Sequence, residues 1–259
     1  MLKPILVLFT SALLTSGAAQ AGGSRCPENF AGGEAPEFIN PKLATKSTAL
    51  CLTGFAVMHS GVSRTPIWSA EKLTTERLTG PKVKRKNTFH PEERLPRDER
   101  AELHDYARSG YDRGHMSPSG DMPDPASQYD SFSLANIVPQ DSSNNQRLWA
   151  GLEDVTRKLA RRRGEMYVIT GPIFEGDALQ RLNGRVLIPT FLFKAIYDPA
   201  AQAAGAYLAP NAPGGEYQVI TIAELEKRSG LNLFPKLDAR IKLAGMRLPA
   251  PRKDSRQTN

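Results

Sequence analysis

Six consecutive residues, Tyr111-Asp112-Arg113-Gly114-His115-Met116, bring together side chains able to do acid–base chemistry on an anion. Arg113 carries a fixed positive charge suited to a phosphate, and His115 offers an imidazole that exchanges a proton near neutral pH. On an extended segment, positions i and i+2 share a face, so both side chains can address one phosphate. Gly114, between them, permits a backbone geometry that a side chain would obstruct. Further along, Asn144-Asn145-Gln146 opens a segment of helical periodicity that carries Glu153. Phosphodiester hydrolysis needs an activated water, neutralisation of charge building on phosphorus, and help for the departing oxygen. Arg, His, Asn and Glu in this order meet those needs.

His115 is the only histidine set among other reactive groups; His59, His90 and His104 lie in turn-like or charged contexts and read as surface residues. Mg2+ prefers hard oxygen ligands and keeps several waters, so one neutral amide oxygen is enough when the substrate phosphate supplies further contacts. Glu153 follows Asn145 by eight residues. On a regular helix that is about 80° around and ~12 Å along, which suits holding a metal-bound water better than ligating the metal itself.

Asp112-Arg113-Gly114-His115 resembles the signature of the DNA/RNA non-specific endonucleases of the ββα-metal superfamily. Asn136-Ile137-Val138-Pro139-Gln140, then Asn145-Gln146 with Trp149, Leu152 and Glu153, then Ile169-Thr170-Gly171-Pro172 follow in the family's order and at its approximate spacing. The resemblance covers roughly residues 50–240. It implies His115 as general base, Arg113 on the scissile phosphate, Asn145 as metal ligand, and Glu153 behind a metal-bound water. Asn136 is implied as a polar partner of the imidazole or of the substrate. Arg85, or a neighbour within Lys82–Lys86, is implied as a second arginine for the phosphate, and Asp112 is assigned to holding the loop. Asn144 competes with Asn145 for the ligand register; Asn145 is chosen because Gln146 and then Trp149 follow it. The implied cofactor is Mg2+, with Mn2+ as the alternative. The implied substrates are DNA and RNA, gripped by phosphate and therefore cut with little sequence preference, and the implied products carry 5′-phosphate and 3′-hydroxyl ends.

Several elements must position these groups. Ala49–Met58 reads as a mostly buried strand and Arg64–Leu73 as a second, joined by a turn at His59-Ser60-Gly61. Residues 79–110 read as a long, charged surface connection leading into the motif. Phe132–Val138 reads as a strand ended by Pro139, and Ser142 or Ser143 as the cap of the next helix. Leu148, Trp149, Leu152, Val155 and Leu159 form that helix's core face, with Arg161–Arg163 and Gly164 at its end. Met166–Ile169, Val186–Ile196 and Gly205–Leu208 read as strands, and Thr221-Ile222-Ala223-Glu224 is a capping box opening a short helix to Gly230. The predicted class is α+β: a largely antiparallel central sheet with packed helices, carrying a ββα-metal active-site motif.

The chain has 259 residues, 40% of them hydrophobic, enough for one large domain with a real core. Lys3, the apolar run Ile5–Leu14 and Ala19-Gln20-Ala21 read as a cleaved signal peptide over residues 1–21. Beyond it lie an expected extension at 22–46, a catalytic domain at 47–250 and a basic polar tail at 251–259. The expected location is periplasmic or secreted. There an isolated pair, Cys26 and Cys51, is expected as a disulfide. No apolar run beyond residue 20 approaches the ~20 residues a membrane span needs. The net charge of +7 suits a polyanionic partner. Two other classes compete, a phosphodiesterase of small esters and a catalytically silent nucleic-acid-binding module. The sequence leaves open a homodimer and a dedicated protein inhibitor.

Overall fold

Runs such as Phe191-Leu192-Phe193 and Ala204-Gly205-Ala206 leave no polar face, as expected of strands covered on both sides. The computed structural model describes residues 26–251, so the expected signal peptide and Arg252 and Lys253 of the tail lie outside the described residues. In chain order the elements are β1 (Glu37–Phe38), β2 (Ser47–Leu52), β3 (Phe55–Ser60), β4 (Thr65–Thr74), α1 (Thr75–Thr79), β5 (Asp112–His115), α2 (Pro125–Ser131), β6 (Ile137–Gln140), α3 (Ala150–Arg163), β7 (Glu165–Ile173), β8 (Arg181–Leu182), β9 (Val186–Leu187), β10 (Phe191–Asp198), β11 (Ala203–Pro210), β12 (Gln218–Ile220), α4 (Ile222–Ser229), β13 (Leu231–Asn232) and α5 (Ala239–Ala244). Seven strands form one antiparallel sheet in the order β12-β11-β10-β7-β4-β3-β2. The ribbon β5–β6 stands apart from it and, with α3 following, makes the ββα unit. The α+β class read from the sequence is the class observed.

The period-two alternation of the strands divides two cores. Phe193, Ala195 and Tyr197 of β10 face one side with Trp68, Ile169, Leu208, Leu225 and Phe234. Leu192 and Ile196 face the other, with Trp149, Leu152, Val155 and Leu159 of the long helix and Met116 and Val138 of the ribbon. The helix residues expected to form its core face are these same ones. The second face therefore carries the ββα unit.

Several boundaries differ from expectation for local reasons. Ala49–Met58 is a hairpin, not one strand: Leu52 pairs with Phe55 across Thr53-Gly54, and Gly54 adopts φ 87° there. Val186–Ile196 is broken around Pro189, which has no amide hydrogen for a ladder. Pro139 does not end its strand but lies within β6, opposite Arg113. A two-stranded ribbon leaves one side of β6 unpaired, so a proline is tolerated. The helix after it is capped by Asp141 rather than Ser142 or Ser143: its carboxylate accepts from the Asn144 N–H at 2.9 Å. The connection at 79–110 is only partly surface. Leu95, Ala101, Asp105 and Tyr106 are buried, and Asp105 pairs with Arg185 at 2.8 Å. That connection also covers His59, which is buried and not on the surface; its Nε2 lies 2.9 Å from the Glu99 carbonyl. His104 is exposed, and His90 is partly buried.

Residues 26–46, set apart above as an extension, pack into the same body. Phe30 meets Trp68 edge-on, and β1 pairs with β13. Cys26 and Cys51 form the disulfide, 25 residues apart in sequence. Closing such a loop is worth about 3 kcal/mol. Reduction is therefore expected to lower the melting temperature by roughly 6–12 °C, measurable by calorimetry with and without dithiothreitol; an unchanged melting point would remove the staple from the stability account.

Candidate active site

The ribbon register sets Arg113 against Pro139, Gly114 against Val138 and His115 against Ile137. A Cβ on Gly114 would lie 2.0 Å from Gln140 Oε1, so the ribbon closes only with glycine there. Asn136 fixes the end of the ribbon. Its Oδ1 accepts from Ser117 N at 3.0 Å, and its Nδ2 donates to the carbonyls of Ser117 (2.8 Å) and Ser131 (2.9 Å). Asn136 is fully buried and these bonds engage both its polar atoms, so it reaches neither imidazole nor substrate directly. Its place is to hold the backbone just past His115.

The His115 ring packs against two aromatic rings that the sequence did not single out, Phe89 at 5.5 Å and Phe132 at 4.9 Å, the latter edge to face. Each of those rings carries an exposed arginine. The Arg113 guanidinium lies 4.2 Å from the Phe89 centroid and that of Arg85 5.2 Å from Phe132. Burial, with the charges of Arg85 and Arg113 beside it, pushes the imidazole pKa down to about 3. Nε2 is buried without a hydrogen-bond partner, which leaves Nδ1 as the nitrogen toward solvent. The imidazole is therefore neutral near pH 7 and in a cationic surround that attracts anions.

The two asparagines at the start of the helix differ in what they hold. Asn144 is buried; its Oδ1 accepts from Gln140 Nε2 at 2.7 Å and its Nδ2 donates to the Pro210 carbonyl at 2.9 Å. Asn145 donates Nδ2 to Asp112 Oδ2 at 2.8 Å, and its Oδ1 accepts no hydrogen bond among the described residues. Asp112 also accepts from Gln146 Nε2 (2.9 Å) and Ser142 Oγ (2.9 Å), tying the helix start to the histidine strand. Burial opposes ionisation of Asp112, but the bonds from Asn145, Gln146 and Ser142 and the charge of Arg113 prevail and hold its carboxyl below the usual range. Asp112 thus turns the free amide oxygen of Asn145 outward. A hard divalent cation fits such a donor.

The turn that carries Asn145 is a wide one. Asn144–Trp149 is π-helical, and the Ala150 N–H reaches back five residues to the Asn145 carbonyl. The rotation of about 80° expected between Asn145 and Glu153 on a regular helix therefore does not hold. Glu153 lies in the first turn of α3, where burial pushes its carboxyl up to about 7, opposed by the charges of Lys194, Arg157 and Arg85 and assisted by Asp121. Arg157, one turn on, joins Glu153 (3.9 Å) to Asp121 (2.8 Å). Beneath them Arg77 reaches the buried Glu71 at 3.2 Å, and Lys194 donates to Thr170 Oγ1 at 2.8 Å. Burial drives Glu71 up and Lys194 down. The charge of Arg85 lowers the pKa of His115 and that of Glu153 alike. Of these groups Arg157 was legible as an i,i+4 partner of Glu153; Asp121, Glu71 and Lys194 carried no local signal.

A profile of the family described as DNA/RNA non-specific endonuclease matches residues 34–240. The chain belongs to the DNA/RNA non-specific endonuclease family. It is 35% identical over 207 residues to a mitochondrial nuclease EXOG of Danio rerio, covering 71% of this chain and 60% of that one. It is 30% identical over 242 residues to the mitochondrial endonuclease G of Bos taurus, covering 86% and 81%. Nuclease C1 of Cunninghamella echinulata is 34% identical over 206 residues, covering 71% and 81%. This chain thus spans about three fifths of the length of the EXOG nucleases it matches. Among solved structures, that of an EndoG/EndoGI complex, in which EndoG is inhibited, superposes with a TM-score of 0.68 at 27% identity, covering 75% of this chain and 88% of that one. The fold read here from the ribbon and sheet is accordingly the fold of this nuclease family.

Proposed function

We propose that this chain is an exported endonuclease that hydrolyses phosphodiester bonds in both DNA and RNA with the aid of a divalent cation, leaving 5′-phosphate ends. The observation that carries the reading is the neutral imidazole of His115 beside two arginines, on a strand whose Asp112 orients the free amide oxygen of Asn145. His115, through Nδ1, takes the proton of the attacking water. Arg113 and Arg85 balance the non-bridging oxygens of the phosphate, and Asn136 keeps the His115 backbone in place. Mg2+ or Mn2+, bound by Asn145 Oδ1 with waters held by Glu153, would supply charge neutralisation at the phosphorus and the departing 3′ oxygen. Only phosphates need be gripped, so DNA and RNA are both substrates. Several of the relatives are named as mitochondrial. Export of this chain instead is supported by the Lys3, Ile5–Leu14 and Ala19-Gln20-Ala21 pattern and by the disulfide.

The test is incubation of the mature chain with plasmid and with RNA, in Mg2+ and in chelator, over a range of salt. Both substrates are expected to be lost in Mg2+ and spared in chelator, with rates falling steeply as salt rises. Cutting that ignores chelator would overturn the cation's role. Turnover of a small diester alone, indifferent to salt, would favour the small-ester reading.

A further inference from the structure

Tyr129, in the last turn of α2, is 50% exposed, although Phe132, three residues on, is fully buried. Its ring is not loose. The imidazole of His90 lies parallel to it, 4.2 Å away at an interplanar angle of 10°. The pair is tied to the candidate active site through the backbone. His90 N–H donates to the Phe132 carbonyl (3.3 Å), and the His90 carbonyl accepts from Leu134 N–H (2.8 Å). His90 directly follows Phe89, and both Phe89 and Phe132 touch the His115 ring. The end of a basic run is anchored nearby: the Lys86 N–H donates to Gln128 Oε1, next to Tyr129 in α2, at 3.0 Å, and the Arg85 guanidinium lies 5.2 Å from the Phe132 ring.

We propose that the stacked His90–Tyr129 pair is a nucleobase platform beside the scissile phosphate, which takes a base of an unpaired strand onto the outer face of Tyr129. An aromatic face next to a basic track is how sequence-tolerant proteins hold single strands, because every base has a π-face. The ring is already fixed by His90, so little rotamer freedom is lost when a base settles on it. In a duplex the faces of the bases are occupied by their neighbours, so the platform serves single strands, loops and opened ends. This inference rests on the nuclease reading above and adds to it a preference for the form of the substrate.

The experiment compares Tyr129→Ala and Tyr129→Trp with the parent chain on one oligonucleotide, single-stranded and as a duplex. Tyr129→Ala is expected to raise KM on the single strand about tenfold with kcat little changed, since removal of a stacking ring costs that order. Duplex cleavage is expected to stay within about twofold, and Tyr129→Trp to behave as the parent. An abasic position next to the cleaved bond is expected to impose the same loss on the parent and no further loss on Tyr129→Ala, the signature of one shared contact. Equal losses on both substrate forms, or none on the single strand, would overturn the platform. His115→Ala, run in parallel, separates the two ideas: if that variant still cuts, the nuclease mechanism fails whatever Tyr129 does.

Discussion

Replacing His115 by alanine is expected to slow cleavage of plasmid and RNA alike by at least about a hundredfold, and by as much as ~10⁴-fold, the usual worth of a positioned general base. His115 is buried between Phe89 and Phe132, so truncation also opens a void. His115→Gln nearly fills that void and is expected to be as slow as the alanine variant, which separates lost chemistry from lost packing. The pH dependence is a second readout. Burial and the two arginines depress the folded-state imidazole pKa to about 3, against about 6.5 in the unfolded chain. The base is therefore neutral through the whole range around neutrality, and kcat/KM is expected to show no histidine limb near pH ~6.5. The same depression stabilises the fold fully above the unfolded pKa, and that contribution is lost as pH falls from about 6.5 towards about 3. Undiminished cutting by His115→Gln would sink the assignment.

Asn145→Ala is expected to lose activity by a comparable factor, about 10²-fold, with a raised Mg2+ requirement and an intact fold. The informative partner is Asn145→Asp. A carboxylate is ordinarily the better ligand for Mg2+. Here the amide nitrogen donates to Asp112 at 2.8 Å, and Asp112 is held ionised by its other donors. An aspartate at 145 would set two carboxylates against each other, so rescue is not expected despite the added charge. A Mg2+ titration of the rate checks both variants; wild-type Mg2+ dependence in Asn145→Ala would place the cation elsewhere, and restoration by Asn145→Asp would overturn the expected repulsion from Asp112. Asn144→Ala is expected to behave differently. It breaks buried hydrogen bonds to Gln140 and Pro210 and leaves their partners unsatisfied. It therefore lowers stability by about 1–3 kcal/mol, with little change in metal dependence.

What was legible in the sequence was local. The Asp-Arg-Gly-His run, the apolar spacing of α3 and the capping box at Thr221 depend on neighbours in the chain, and periodicity reports such neighbours faithfully. The hairpin inside Ala49–Met58 was missed because the residues on both sides of the turn are apolar in sequence, so no polar residue marked the turn except Thr53-Gly54. The placing of His59 on the surface failed because its partner there is the Glu99 carbonyl, forty positions away. The aromatic cradle of His115 has the same character: Phe89 and Phe132 come from separate segments and meet only in the fold. The register between Asn144 and Asn145 was unreadable locally, since the difference lies in distant partners, Pro210 for one and Asp112 for the other. Asn136 was legible as important but not in its manner, because hydrogen bonds to Ser117 and Ser131 leave no pattern in composition.

The Cys26–Cys51 bond lies with the Phe30–Trp68 core, across the sheet from the strand and helix that carry His115 and Asn145. Durability and turnover are thereby lodged on opposite sides of a wall of strands. Reduction of that bond is therefore expected to shorten the lifetime of the fold while leaving the surroundings of His115 and Asn145 in place.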